Sequence, residues 1–144
     1  MFYSITITSE DDKVINLGDK DSDQNTDVTE VKIHLDTTDD SARQKSLVML
    51  AKVKICGKIV EDSKSVYKAL FDWAKSLDKN QWYREVVIEI KIDSNTVYRT
   101  YRFEKMFVVD YKEFYGNSNV DSEYGTFELD LTQKENLFKT IENY

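Results

Sequence analysis

The run Val86-Val87-Ile88-Glu89-Ile90-Lys91-Ile92, the break Asp93-Ser94-Asn95-Thr96 and the run Val97-Tyr98-Arg99-Thr100-Tyr101-Arg102-Phe103 decide how this chain folds. Val86, Ile88, Ile90 and Ile92 recur with a period of two, which places them on one face of a strand. Glu85, Val87, Glu89 and Lys91 fall on the other face. Short polar residues between the two runs favour a tight turn, and strand character continues to Asp110, so the segment reads as a long β-hairpin. Val87, Val97, Tyr101 and Phe103 add apolar groups beside the main stripe. A strand that is apolar on both faces is covered on both faces or meets another subunit. A chain of 144 residues has limited mass for covering both, so subunit association is expected.

Outward from the hairpin, most of the chain alternates in the same way. Met1 to Thr8, Lys13 to Leu17, Thr29 to Leu35, Val48 to Val60 and the stretch around Phe127, Leu129 and Leu131 read as further strands. In the fourth, Val53, Ile55 and Ile59 share a face, with Gly57 as a candidate bulge. One segment breaks the period of two. From Ser63 to Leu77, Val66, Leu70, Trp73 and Leu77 recur at spacings of four, three and four, widened by Tyr67, Ala69 and Ala74. That is an amphipathic helix at 63–77, with Asp62 or Ser63 available to cap it, and its apolar stripe needs a sheet to cover. Gln133 to Tyr144 is ambiguous. The fold class is mainly β (α+β), in a single domain over 1–144. The expected form is a small antiparallel β-barrel or two-sheet sandwich of roughly seven or eight strands with one flanking helix.

Composition narrows the function. The net charge is −7, with 27 acidic and 20 basic residues, one His, one Cys and no Pro. This argues against a general nucleic-acid binder, whose footprint is basic. It also argues against electrostatic attachment to anionic lipid. One Cys excludes an intrachain disulfide and a cysteine-built zinc site, and one His excludes a multi-histidine centre. Rossmann and phosphate-loop glycine patterns are absent. Met1 to Ser9 lacks the basic start and apolar run of a signal peptide, and no stretch approaches the ~20 apolar residues of a membrane span, so synthesis in a cytoplasm is expected. The acidity is local: Glu10 to Asp40 holds 11 acidic and 3 basic residues, while the rest is nearly neutral.

Three patterns are candidates for chemistry. Asp19, Asp21, Asp23, Asn25, Asp27 and Glu30 have the oxygen-ligand spacing of a calcium-binding loop. Gln24 stands where that loop needs Gly, Thr26 where it is usually apolar, and the flanks read as strands, so a solvated acidic loop is the plainer reading. Cys56 and His34 would form a Cys-His pair only if brought together. A strand Cys is usually a small buried hydrophobe, and His34 falls on the polar side of its strand. The tyrosines Tyr98, Tyr101, Tyr111, Tyr115 and Tyr124 suit an interface as well as they suit strands. No cofactor is expected, and no enzymatic constellation stands out.

From Val28 onwards the chain resembles the tube-forming proteins of contractile injection machines: the haemolysin-coregulated protein of type VI secretion and phage tail tube proteins. The likeness rests on Glu30 to Asp36 followed by the polar loop Thr37 to Ser46, on Val53 to Ile59 leading into the helix, on Tyr98 to Tyr111, and on Gly125 to Leu131. The order of strands, one helix, long hairpin and final strand also matches, over about three quarters of the chain. The acidic stretch Asp19 to Asp27 has no counterpart there. The resemblance implies a β-barrel with a flanking helix, hexameric rings and rings stacked into a hollow tube within a phage-tail-like or secretion particle. Partners would be other copies of the chain, with sheath, baseplate or cargo proteins. It also implies that the loop carrying Asp39, Asp40, Arg43 and Lys45 reaches a neighbouring subunit. Neither sequence-specific nucleic-acid binding nor membrane insertion is expected. A different class of function, an acidic immunity or inhibitor module that neutralises a basic partner, is suggested by the charge of Glu10 to Asp40.

Overall fold

A computed structural model describes residues 1–18, 27–37, 49–93, 95–116 and 123–144, with Asp27 and Asp62 described by their backbone alone. The strands are β1 (Phe2–Ser9), β2 (Val14–Gly18), β3 (Asp27–Thr37), β4 (Met49–Val60), β5 (Arg84–Asp93), β6 (Thr96–Tyr115), β7 (Glu123–Gln133) and β8 (Glu142–Asn143). Helix α1 (Lys64–Lys75) and the short helix α2 (Lys79–Trp82) join β4 to β5. All the strands belong to one antiparallel sheet in the order β2-β1-β5-β6-β7-β4-β3, with β8 on β6. The chain is mainly β, as the alternation predicts. The sheet curls without closing. Its end strands β2 and β3 come within 8 Å in Cα–Cα distance, but no ladder joins them among the described residues.

Strand β6 is the spine of the fold. Its first half pairs with β5 and its second half, from Met106 to Tyr115, with β7. Between them the ladder gains one residue: Arg84 faces Met106, but Val86 faces Phe103. Lys105 takes the left-handed conformation there, with φ 51°. Such a bulge bends a strand and raises its twist. The carbonyls turned out of the ladder are both answered. The Gln133 side-chain amide donates to the Glu104 carbonyl at 2.9 Å, and the Lys134 amide donates to the Lys105 carbonyl at 2.9 Å. Gln133 is 2% exposed, so this polar side chain sits inside because the bend needs a donor.

The curl brings the apolar rows of both limbs into one core. Ile7, Val86 and Phe103 form a cross-strand row on one limb, and Val53, Leu131 and Val108 form one on the other. Helix α1 lays Val66, Tyr67, Leu70 and Trp73 over them. Fully burying each such side chain contributes roughly 1.5–3 kcal/mol, which makes this row pattern the main driving force for the fold. The helix stops earlier than its sequence stripe suggests. Ser76 is already extended, and Leu77, beyond the end, is 90% exposed. A tryptophan clasp ends it: Trp73 Nε1 donates to the Trp82 carbonyl at 3.0 Å, and Trp82 Nε1 donates to the Ser76 carbonyl at 2.8 Å. Ser63 takes the N-cap position, but its side chain makes no capping bond; a 3₁₀ turn over Glu61–Ser63 leads in instead. Gly57 is no bulge: it pairs in register with Val28 and Phe127, and the irregularities lie at Val28/Glu30 and Ile59/Val60.

Candidate assembly surfaces

Beyond its bend, β6 forms a four-stranded limb with β7, β4 and β3. Residues Phe107–Tyr115 pair with β7 on one edge, and no other described strand pairs with them on the opposite edge. At the far end of the limb, β3 pairs with β4, and its outer edge carries no ladder among the described residues. Among the described residues the limb therefore ends in two strand edges without a ladder, of nine and eleven residues. Unpaired N–H and C=O groups in such rows are templates for pairing with another chain. Their polarity is set by the number of strands. Three antiparallel steps separate β6 from β3, so the two edge strands run in opposite directions.

The face of this limb turned from the core is charged. Across the sheet run the rows Lys32, Lys54, Asp130, Asp110 and Glu30, Cys56, Glu128, Lys112. Lys54 pairs with Glu128, Lys58 with Glu123 at 3.2 Å, Lys52 with Asp36 at 2.9 Å and Lys112 with Asp110 at 3.4 Å. The hydrogen bond between Lys54 and Glu128 raises the lysine's pKa and lowers the glutamate's. These exposed pairs contribute under ~1 kcal/mol each, so they shape the field of the face more than its stability. Lys32 and Glu30 form no ion pair among the described residues.

Aromatic groups line a groove between α1 and the open edge of β6. At one end, a 310 Å³ cavity is bounded by Trp73, Ala74, Trp82, Tyr83, Phe107 and Val108. At the other, a 580 Å³ cleft is bounded by Ile59, Tyr67, Phe71, Glu113, Tyr115 and Tyr124. Tyr111 lies between, edge-on to Phe71. Its hydroxyl is enclosed and has no hydrogen-bond partner among the described residues, and burial, reinforced by the Glu113 carboxylate, pushes its pKa far above the usual tyrosine value. Along the edge Val109 is 60% and Phe114 72% exposed. On β3, Leu35 faces Ala51 across the ladder, which puts it on the core side, yet it is 56% exposed.

The sequence candidates are distributed unevenly over these surfaces. Asp39, Asp40, Arg43 and Lys45 lie outside the described residues, as do Asp19, Asp21, Asp23 and Asn25. Asp27 and Glu30 are on β3, and both flanks of the acidic stretch are strands, as the sequence suggests. Cys56 pairs with Glu30 and His34 with Lys52, four residues further along β4, about 13 Å away. They form no dyad. Cys56 is half-buried on the charged face rather than in the core, because β4 alternates Ile55 inward and Cys56 outward. Burial, then the charges of Glu128 and Glu30, raise its thiol pKa, which holds it protonated. The open edge at Phe107–Tyr115 was legible only through Tyr111 and Tyr115, two of the tyrosines that suit an interface. A further signal is the crowding of Phe107, Val109, Phe114 and Tyr115 on a strand whose other positions already supply the core.

No protein-family model matches the sequence, and no curated protein matches it. Solved structures match it over nearly its whole length. Hcp1 from Flavobacterium johnsoniae is 16% identical with a TM-score of 0.53, covering 99% of this chain and 94% of that one. A chain of the anti-feeding prophage baseplate, solved with 6-fold symmetrisation, is 8% identical with a TM-score of 0.55, covering 99% and 91%. A chain of the sheath/tube terminator of the PVC extracellular contractile injection system is 14% identical with a TM-score of 0.53, covering 99% and 92%. No helix among the described residues is long and apolar enough to cross a membrane. The likeness first read in the strand and helix order is thus a likeness of the whole fold, and the chain carries the fold of Hcp and of the contractile injection-system components built like it.

Proposed function

We propose that the chain is a structural tube protomer of a contractile injection machine, assembling edge to edge into rings that stack around a lumen. One observation carries this reading: a four-stranded limb with an open edge at each end, the two edge strands running in opposite directions. A cyclic rotation preserves strand direction along its axis. β3 of one copy therefore meets β6 of the next as an antiparallel pair, and the contact repeats head to tail until the ring closes. The ring number of six comes from the resemblance and is matched by the 6-fold symmetry of the baseplate to which one relative belongs. Six limbs would make a wall of about 24 strands, roughly 115 Å around and ~36 Å across between backbones if the strands stood upright. The charged face would line the lumen. Its mixed, paired charges keep that surface close to neutral, which suits passage of cargo without adhesion. Single rim contacts are weak, and closure multiplies them.

Light scattering behind size exclusion, over a range of concentrations and with negative-stain imaging, tests the proposal. Particles of six 16.9 kDa protomers, or stacked tubes, are expected. A monomer at every concentration overturns self-assembly and favours the acidic inhibitor instead.

A further inference from the structure

We infer that the partner seated on the open β6 edge is β3 of a second copy, in one register: Lys32 beside Asp110 and Glu30 beside Lys112, with Leu35 entering the tryptophan cavity. This rests on the ring reading above and adds which residues meet.

The argument is first one of charge. Within one copy, the row Lys32, Lys54, Asp130, Asp110 sets two like charges side by side at each end. Like charges directly opposite one another in a sheet are unfavourable. Joining copies in this register continues the row as two positive and two negative positions in turn, so each like pair is flanked by its opposite. The second row gains a Glu30–Lys112 contact at the same seam. Sliding the strand by two residues would keep all side chains on their faces but place Lys32 beside Lys112, with only His34 left beside Asp110. A one-residue slip is excluded, because it turns Val31, Ile33 and Leu35 to the charged face. The exposed bulge at Val109 fixes the count on the β6 side.

The second part is shape. In this register Val31 lies beside Tyr111 and Ile33 beside Val108. Leu35 then falls one step further along, at the level where β6 bends and β5 turns away with it. The 310 Å³ cavity bounded by Trp73, Trp82, Tyr83 and Phe107 opens there. An exposed leucine on the core side of one edge and an aromatic cavity at the matching level of the other edge are complementary halves of one contact.

Disulfide trapping reads the register directly. Opposed residues in antiparallel strands have Cα atoms about 4.5–5.5 Å apart, within disulfide range. Inside one copy β6 and β3 are three strands apart, about 14 Å, so any cross-link is intermolecular. In a Cys56→Ser background, Lys32→Cys with Asp110→Cys should give a ladder of covalent oligomers on mild oxidation. Lys32→Cys with Lys112→Cys should give at least tenfold less. Separately, Lys32→Asp should raise the concentration needed for assembly, and adding Asp110→Lys should restore it. Leu35→Asp should raise it at least tenfold with an unchanged circular dichroism spectrum, since Leu35 is not part of the buried core. Rings that form but cross-link through 32/112, or through neither pair, overturn the register and leave the ring reading standing. Leu35→Asp rings that assemble like the parent overturn the cavity contact. A chain that stays monomeric and cross-links through neither pair overturns both readings.

Discussion

Replacing Gln133 by Met keeps the length and apolar packing of the side chain and removes its amide. The Glu104 carbonyl then loses the 2.9 Å bond that holds the bend of β6, in a place that water reaches poorly because Gln133 is 2% exposed. Stranding a largely enclosed acceptor costs about 1–3 kcal/mol. For a chain of this length that lowers the melting temperature by roughly 3–10 °C. Thermal and urea unfolding at fixed protomer concentration is the assay, since assembly would otherwise contribute to apparent stability. Gln133→Glu adds a test of sign. At neutral pH it sets a carboxylate against a carbonyl oxygen, so its folded-state pKa is raised above the unfolded value. A raised pKa means the protonated form is the stable one: Gln133→Glu should be worse than Gln133→Met at pH 7 and recover as pH falls and the carboxyl can donate. If Gln133→Met melts with the parent, the bend is held by the packing of the two limbs and not by this bond.

Tyr111→Phe should be neutral or stabilising by up to ~1 kcal/mol at pH 7, because the enclosed hydroxyl makes no hydrogen bond among the described residues. The raised tyrosine pKa makes the parent lose stability as pH climbs above the unfolded value of about 10; unfolding midpoints between pH 9 and 11 should fall less steeply in the Phe variant. Gly125→Ala would put a Cβ 2.0 Å from the Phe114 carbonyl, so the β6–β7 ladder must part there; a loss of about 2–4 kcal/mol in urea unfolding is expected. Tyr67→Phe removes the 2.7 Å bond to the Lys58 carbonyl and should cost about 1 kcal/mol, with the helix still docked through the Tyr67–Phe127 ring contact. Lys54→Ala, by contrast, should change the melting point by less than ~3 °C despite its close pairing with Glu128, because both groups face solvent.

Strands with one wet face could be read from sequence, since burial on one side writes a period of two; β4 emerges within one residue of its expected limits, β3 runs two residues further at each end, and β7 extends on both sides of Phe127, Leu129 and Leu131. Helix α1 was legible for the same reason at a different period. The short helix α2 was missed. Asp78, whose side chain accepts from the Asn80 amide, is a sound start signal, but four residues give no period to recognise. The bend of β6 left even less trace. A bulge usually advertises itself by glycine, yet the left-handed position is Lys105, and the only local mark is the polar doublet Glu104-Lys105, which sets the buried Phe103 and Met106 three apart instead of two. Its support comes from Gln133, 29 positions from the Glu104 carbonyl it holds, and no local pattern records a contact of that range.

That hidden bend lies where the candidate assembly edge begins. β5 has ten residues and starts at Arg84, opposite Met106, so it covers only the first half of the twenty-residue β6. The bend at Lys105 falls at that point and turns Phe107–Tyr115, which pair with β7 alone among the described strands, away from β5. The sequence leads one to expect association, through strands apolar on both faces, and it announces the family of shapes. It cannot announce which edge is open, because openness is a property of where a partner strand departs. An edge that starts at the bend is aimed by it: weakening the Gln133 latch should reduce ring formation before it unfolds the core, whereas Leu35→Asp should raise the concentration needed for rings with the bend intact. The two variants separate the scaffold from the contact, and a Gln133→Met chain that loses stability yet assembles at the parent's concentration would show that the open edge does not need the bend.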